Sequence, residues 1–114
     1  MKKVVFYRTD AGKDVVVDEI RKLSDEDRKK VGEDLRFVQI GYPVGPPQCR
    51  PLRDGLWEVR SSLPSGPKYR LICTYDSATE TVVVLNGFVK KTQRTPASEI
   101  ELAKERRRKL EKRE

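Results

Sequence analysis

The chain has 114 residues, with 25 lysines and arginines against 18 aspartates and glutamates, a net charge of +7 and no histidine. A chain of this length fits one domain with a modest core, since folding buries somewhat over ~60% of the surface that the unfolded chain exposes. The positive charge favours an anionic partner, such as nucleic acid, an acidic protein or a membrane surface. Because histidine is absent, any proton transfer near neutral pH falls to lysine, tyrosine or carboxylate side chains.

The same inventory disfavours several classes of protein. Cys49 and Cys73 lie far apart and have no histidine to complete a zinc site, so we expect reduced thiols and neither a metal nor a cofactor. The apolar run of residues 4–7 ends at Arg8 and is too short for a signal peptide, and no segment approaches a membrane span. We therefore expect a cytoplasmic protein with no membrane partner, whose single domain covers residues 1–114.

The first half of the chain predicts one strand and two helices. Residues 4–8 are β-prone, and the Thr9-Asp10-Ala11-Gly12 segment ends that run. Ser24 is the predicted N-cap of the second helix, which is expected to end at Gly41 and Pro43. Apolar residues recur in each helix at i, i+4 and i+7, at Val16, Ile20 and Leu23 and then at Val31, Leu35 and Val38.

The second half predicts a meander of three strands and a last helix. Residues 41–51 hold two glycines and four prolines, and they are expected to connect the helical layer to the sheet. Strands are predicted at residues 56–62, 69–75 and 81–89, with turns between them. Thr95 and Pro96 predict the start of a basic helix over about residues 96–112. The order β-α-α-β-β-β(-α) indicates an α+β fold, with two helices on one face of a small twisted sheet rich in antiparallel pairs.

Side chains alternate between the faces of a strand, so the turn positions predict which groups share a surface. A turn centred near residue 65 places Arg60 opposite Arg70. A turn centred near residue 78 places Arg70 opposite Asn86, with Phe88 and Lys90 on that face unless a bulge shifts the register. The other face is expected to pack on the helices through Trp57, Val59, Leu71, Cys73, Tyr75, Val83 and Leu85.

The shared face of Arg60, Arg70 and Lys90 predicts an anion site. Like charges opposed across strands cost roughly 0.2–1 kcal/mol, and a bound phosphate reverses that sign. The planar fork of arginine fits phosphate oxygens, and Lys91 adds a point charge at the strand end. A second interpretation is that Glu58 neutralises one arginine and that the face is simply solvated. The pattern supports anion binding and does not establish catalysis.

Three blocks of sequence carry a family resemblance: Pro51-Leu52-x-x-Gly55-Leu56-Trp57-Glu58-Val59-Arg60, then Tyr69-Arg70-Leu71, then Gly87-Phe88-Val89-Lys90-Lys91-Thr92-x-x-Thr95-Pro96 with a helix beginning Glu99-Ile100-Glu101-Leu102-Ala103. They resemble the HigB-like branch of the RelE/ParE toxin superfamily, whose members are often described as phage-derived, over residues 3 to about 110. The resemblance implies a RelE-like fold and a type II toxin, a metal-independent and ribosome-dependent mRNA endoribonuclease that inhibits translation. It implies two partners, mRNA in the 30S A site and a cognate helix-turn-helix antitoxin of the XRE type.

The resemblance also implies roles for single residues. Arg70 matches the arginine of the family's Tyr-Arg strand motif, which stabilises the scissile phosphate. Arg60 lies near the basic residues of the preceding strand, and Lys90 or Lys91 takes the place of the basic residue that ends the last strand. Some RelE-type toxins use a carboxy-terminal tyrosine or histidines, which this chain lacks. The proton acceptor is therefore open among Lys90, Lys91 and Glu58. Crowding by other cations lowers the pKa of a lysine, so that Lys90 or Lys91 becomes a weak base.

Further cations extend the predicted RNA surface, namely Lys68, Arg94, Lys104, Arg107 and Arg108. Residues 104–114 carry seven basic and three acidic groups, and contact with ribosomal RNA and a solvated helix end are equal alternatives for them. The alternative to a nuclease is a non-catalytic RNA- or ribosome-binding module. A DNA-binding regulator is disfavoured because residues 13–41 show no helix-turn-helix pattern.

Overall fold

The computed structural model describes residues 2–41 and 48–113, which form three helices and one five-stranded sheet. The elements are β1 (Lys3–Phe6), α1 (Val15–Arg21), α2 (Asp25–Gly41), β2 (Cys49–Pro51), β3 (Trp57–Ser62), β4 (Lys68–Asp76), β5 (Thr81–Lys90) and α3 (Ala97–Lys112). The strands lie in the order β1-β5-β4-β3-β2. Only β1 and β5 pair in parallel, and the other neighbours are antiparallel. The predicted α+β fold is confirmed, with β3, β4 and β5 as the meander.

Strand β2 is the element that the sequence analysis missed. It falls within residues 41–51, which we expected to be a connector alone, and it pairs antiparallel with residues 57–59 at the edge of the sheet. Pro51 is tolerated there because an edge strand leaves one side of its backbone unpaired. The predicted helix end at Pro43 lies outside the described residues.

Helices α1 and α2 cover one face of the sheet, which we term the helical face. Ser24 caps α2 as predicted, since its hydroxyl oxygen accepts a hydrogen bond from the Asp27 backbone N–H at 3.2 Å. The Asp27 carboxylate in turn accepts hydrogen bonds from the Ser65 hydroxyl at 2.5 Å and the Ser65 backbone N–H at 3.1 Å, and these bonds lower the pKa of Asp27. Helix α2 is thereby fastened to the turn between β3 and β4. The core of this face includes Val16, Val31, Leu35, Val38, Val59, Leu71, Cys73, Val82 and Val84.

The opposite face is covered by α3 and is termed the α3 face. It has a smaller core of its own, formed by Leu56, Ile72, Leu85, Ile100 and Ala103. The predicted place of Val83 and Leu85 on the helical face was therefore wrong. Asp76 pairs with Thr81, so the turn between β4 and β5 holds four residues and its centre lies half a residue later than predicted. Each partner on β5 is therefore shifted by one residue. Since side chains alternate along a strand, each side chain that follows the turn lies on the face opposite to the predicted one.

A β-bulge in β5 then restores the predicted faces towards the end of that strand. Ile72 pairs with Asn86 whereas Cys73 pairs with Val84, so Leu85 is the extra residue of the bulge. Arg70 lies opposite Phe88, and the predicted pairing of Arg70 with Asn86 was wrong. The two shifts add up to two residues, which leaves the alternation of faces unchanged, so Phe88 and Lys90 lie on the face that carries Arg70, as predicted.

Helix α3 begins at Ala97, with Pro96 as its N-cap, one residue later than predicted. The Thr95 hydroxyl does not cap the helix and donates a short hydrogen bond to Glu58 instead. In residues 2–41 and 48–113, no helix is long and apolar enough to cross a membrane.

Gly87 lies where the helical face leaves no room for a side chain. A Cβ atom there would lie 2.9 Å from Leu71 Cδ2 and 2.9 Å from Tyr69 Oη. We expect Gly87→Ala to lower the free energy of unfolding by about 1–3 kcal/mol through overpacking, measured by urea denaturation. Gly32→Ala in α2, where a Cβ meets nothing within 4 Å, is the control and is expected to raise stability by about 0.5–1 kcal/mol. Unchanged stability of Gly87→Ala would contradict this packing.

Candidate functional site

Five cations come together on the α3 face. The register places Arg60 opposite Arg70 and Lys68 opposite Lys90. Every second side chain of a strand shares a face, so these four side chains point away from the helical face. Strand β2 adds a fifth, because Arg50 pairs with Glu58 on the same face. We term the set Arg50, Arg60, Lys68, Arg70 and Lys90 the cation cluster.

The structure brings together most of the site residues predicted from the sequence. The opposition of Arg60 and Arg70 is confirmed, and Lys90 shares their face. Arg50 was missed because β2 was not predicted. The signal in the sequence that could have indicated β2 is the alternation of an apolar and a charged residue, Cys49 and Arg50, within a proline-rich segment. In the structure Cys49 is buried and Arg50 is exposed.

Glu58 is the carboxylate at the centre of the cation cluster, and its side chain is 1% exposed. Its Oε1 lies 3.5 Å from Nε of Arg60 and 3.5 Å from Nε of Arg70. Its Oε2 accepts the short hydrogen bond from the Thr95 hydroxyl. One carboxylate cannot neutralise five cations, so surplus positive charge remains for a ligand. No group of three or more His, Cys, Asp or Glu side chains in the described part of the chain is placed to hold a metal ion.

Arg70 is the most enclosed of the arginines in the cluster, with a side chain that is 7% exposed. Its Nη1 donates a hydrogen bond to the Tyr69 carbonyl at 3.1 Å, whereas its buried Nε makes no hydrogen bond to any described residue. Burial lowers the pKa of Arg70, Glu58 opposes that shift and Arg60 adds to it, yet an arginine remains protonated in proteins. That Nε lies against the Glu58 carboxylate, so the planar guanidinium offers a phosphate its remaining N–H groups.

Lys90 is the cation of the cluster best able to lose its proton. Burial lowers the pKa of Lys90, and the charges of Arg70 and Arg60 lower it further, while Glu58 acts in the opposite direction. An open groove of about 510 Å³ begins here, and we term it the Lys90 groove. Its lining consists of Lys68, Arg70, Lys90, Lys91, Thr92 and Gln93.

The cations predicted on α3 have other contacts. Lys104 Nζ lies 3.2 Å from Asp54 Oδ2, and Arg107 Nη1 donates a hydrogen bond to the Asp54 carbonyl at 2.6 Å. Arg108 pairs with Glu105, and Arg94 is exposed between β5 and α3. Lys104 and Arg107 thus hold α3 against the turn before β3. An RNA contact by these four cations stays a prediction.

The sequence matches the family model described as phage derived protein Gp49-like (DUF891) over residues 18–108. The chain belongs to this Gp49-like family. The matched range runs from α1 into α3 and includes the whole cation cluster. No curated protein matches the chain significantly.

Solved structures confirm the fold of this Gp49-like protein. A doubly mutated E. coli toxin RelE in the free state is 20% identical with a TM-score of 0.63, over 92% of this chain and 96% of that one. The isolated E. coli RelE toxin is 18% identical with a TM-score of 0.56, over 91% of this chain and 98% of that one. A chain of the RelBE2 toxin–antitoxin complex from Mycobacterium tuberculosis is 24% identical with a TM-score of 0.51, over 78% of this chain and 98% of that one. The predicted RelE-like fold is confirmed, and the toxin superfamily with its HigB-like branch stays a prediction.

Proposed function

We propose that this Gp49-like protein is the toxin of a type II toxin–antitoxin system and cleaves mRNA in the A site of the 30S ribosomal subunit without a metal ion. The observation that carries the proposal is the cation cluster, in which five cations surround the single buried carboxylate of Glu58. Such an arrangement is suited to charge stabilisation at one phosphate. The RelE-like fold supports the toxin class, since the RelE structures are those of a toxin and RelBE2 is a complex with an antitoxin.

The proposed reaction is attack of a ribose 2′-hydroxyl oxygen on the adjacent phosphorus. The attack forms a 2′,3′-cyclic phosphate and breaks the bond from phosphorus to the 5′-oxygen of the next nucleotide. A base must take the proton of the 2′-hydroxyl, and an acid must protonate the 5′-oxygen. Arg60 and Arg70 remain charged and stabilise the non-bridging oxygens.

We assign the base to Lys90, the lysine whose pKa is lowered by burial and by the neighbouring arginines. Glu58 is less suited because its oxygens already contact Arg60, Arg70 and Thr95 in a buried position. We assign Glu58 to positioning the two arginines. The 5′-oxygen is protonated by Lys91, which is exposed at the edge of the Lys90 groove, or by water. The ribosome positions the mRNA and lowers the demand on this acid and base.

Induction of the chain in E. coli tests the function. We expect growth arrest with mRNA cut at ribosome-bound positions, mapped by sequencing the new 5′ ends, and relief of the arrest by a helix-turn-helix protein encoded beside the gene. Growth arrest with intact mRNA would favour the alternative, a non-catalytic RNA- or ribosome-binding module. With purified components, cleavage of free RNA as fast as ribosome-bound mRNA would contradict ribosome dependence.

The assignment of Lys90 predicts a pH dependence. Because its pKa is lowered, the fraction of neutral amine rises with pH up to that lowered value, so the rate on mRNA-programmed ribosomes should rise with pH and then level off. Lys90→Arg keeps the charge but removes the base, and we expect its rate to fall about 100-fold or more. Lys3→Arg, at an exposed position of β1 on the other edge of the sheet, is the matched control and should keep the rate and the pH profile. An unchanged rate and profile in Lys90→Arg would exclude Lys90 as the base.

A further inference from the structure

We propose that the α2 side of the cation cluster is a subsite for a nucleobase, in which Asp34 and Gln48 contact the edge of the base beside the bound phosphate. This inference rests on the proposed RNA substrate. A pocket of about 300 Å³ lies at the end of β3, and we term it the α2 pocket. Its lining consists of Lys30, Asp34, Gln48, Arg60, Ser62, Lys68 and Arg70.

The α2 pocket is continuous with the Lys90 groove, because Lys68 and Arg70 line both. A single RNA strand that passes Arg70 therefore enters the pocket on one side and the groove on the other. Successive nucleotides alternate a phosphate and a base, so a phosphate at Arg70 brings a neighbouring base within reach of the α2 pocket.

The two sides of Arg70 differ in chemistry. The Lys90 groove is lined by cations and neutral polar side chains, whereas the α2 pocket also holds the carboxylate of Asp34 and the carboxamide of Gln48. A phosphate beside Asp34 would meet a like charge. The edge of a base instead presents N–H donors, which carboxylates accept in base recognition. The phosphate therefore belongs at Lys68 and Arg70, and the base belongs beside Asp34.

Asp34 is held in a fixed orientation. Its Oδ1 accepts a hydrogen bond from Lys30 Nζ at 2.9 Å, and its Oδ2 accepts one from the Ser61 hydroxyl at 2.5 Å. The side chain is 13% exposed, and a carboxylate oxygen accepts up to two hydrogen bonds, so acceptor capacity remains for a ligand. The bonds of Asp27 to Ser65 hold α2 itself in place. A rigid acceptor of this kind discriminates between bases better than a mobile one.

Gln48 is also anchored beside this pocket, since its backbone carbonyl accepts a hydrogen bond from the Arg60 N–H at 2.8 Å. Its carboxamide offers two N–H donors and one carbonyl acceptor. Cytosine has an exocyclic amino group for Asp34 and the acceptors N3 and O2 for Gln48, whereas uracil has a carbonyl oxygen in place of that amino group and an N–H donor in place of the N3 acceptor. The pocket is therefore expected to prefer amino-bearing bases to uracil.

The test compares two ligands of equal size. Hexamers of 2′-O-methylcytidine and of 2′-O-methyluridine carry no 2′-hydroxyl and cannot be cleaved by the proposed reaction, so fluorescence anisotropy at low salt reports binding alone. We expect the parent protein to bind the cytosine hexamer about tenfold more tightly than the uracil hexamer. Asp34→Asn keeps an acceptor for Ser61 and should reduce the difference to less than about twofold. Glu33→Gln removes the same charge from an exposed position of the same helix and should keep the preference.

The outcomes separate this inference from the proposed function. Equal affinity for the two hexamers, no binding to either, or an unchanged preference in Asp34→Asn would overturn the base subsite, even if the parent protein cleaves mRNA. A preference that is lost in Asp34→Asn, together with no mRNA cleavage by the parent, would retain the subsite and reject the nuclease. Circular dichroism and thermal unfolding show whether each variant is folded. Gln48→Ala is a second test variant, which leaves the backbone hydrogen bond to Arg60 intact and is expected to reduce the preference for the cytosine hexamer.

Discussion

Replacement of Arg70 by alanine is expected to lower the rate of mRNA cleavage about 100- to 1,000-fold, the loss seen when one charge-stabilising donor is removed from a transition state. The reason is geometric, since Arg70 joins the Lys90 groove to the α2 pocket and lies opposite Arg60 in the cation cluster. The measurement is the single-turnover rate on mRNA-programmed ribosomes, with growth after induction as the cellular readout.

Two further variants separate chemistry from folding. Arg70→Lys keeps the charge but not the planar fork, so we expect a large loss of rate with less loss of stability. Arg94→Ala removes an exposed arginine between β5 and α3 and is expected to change the rate only a few-fold. Full activity of Arg70→Ala in a stably folded protein would show that the scissile phosphate does not bind at Arg70.

Replacement of Glu58 by alanine is expected to lower the free energy of unfolding by about 3–5 kcal/mol, the cost of breaking a buried ion pair by removing one partner. The change leaves the guanidinium of Arg70 buried without a counter-charge and removes the acceptor of the Thr95 hydroxyl. Urea denaturation of the parent and the variant measures the difference. Inorganic phosphate should stabilise the variant more than the parent, because a bound anion replaces the missing carboxylate.

Glu101→Ala is the matched control for Glu58. Glu101 also pairs with cations, Arg53 and Lys104, but its side chain is 62% exposed. Exposed pairs contribute little, so we expect a change below about 1 kcal/mol. Equal stability of Glu58→Ala and the parent would mean that water alone solvates the cation cluster. The second interpretation of the sequence, in which this face is simply solvated, would then hold.

The helices and the meander were predictable from the sequence because their signals are local. Val16, Val31, Leu35 and Val38 follow the helical period, and all four are buried. Gly66 and its proline neighbours mark the turn that sets Arg60 opposite Arg70, so this half of the candidate site was predicted correctly.

The rest of the register was not predictable in the same way. Lys90 reached its predicted face because the longer turn and the bulge at Leu85 each shift the pairing by one residue in the same direction, and a total shift of two residues leaves the face of a side chain unchanged. The misplaced Val83 lies between the two shifts, and the misplaced Leu85 is the bulge residue itself. Bulges depend on how neighbouring strands twist and pack, and alternation along one strand does not report them.

Turn residues and apolar periodicity act over a few neighbours, and they account for the type and order of the predicted elements and for the pairing of Arg60 with Arg70. Long-range packing accounts for the rest of the site. Strand β2 brings in Arg50, Asp34 bonds to Ser61 across 27 positions of the chain, and Thr95 reaches Glu58 across 37. Contacts of this length form where the sheet and helices close on one another, because burial then places distant polar groups together and requires that they be paired.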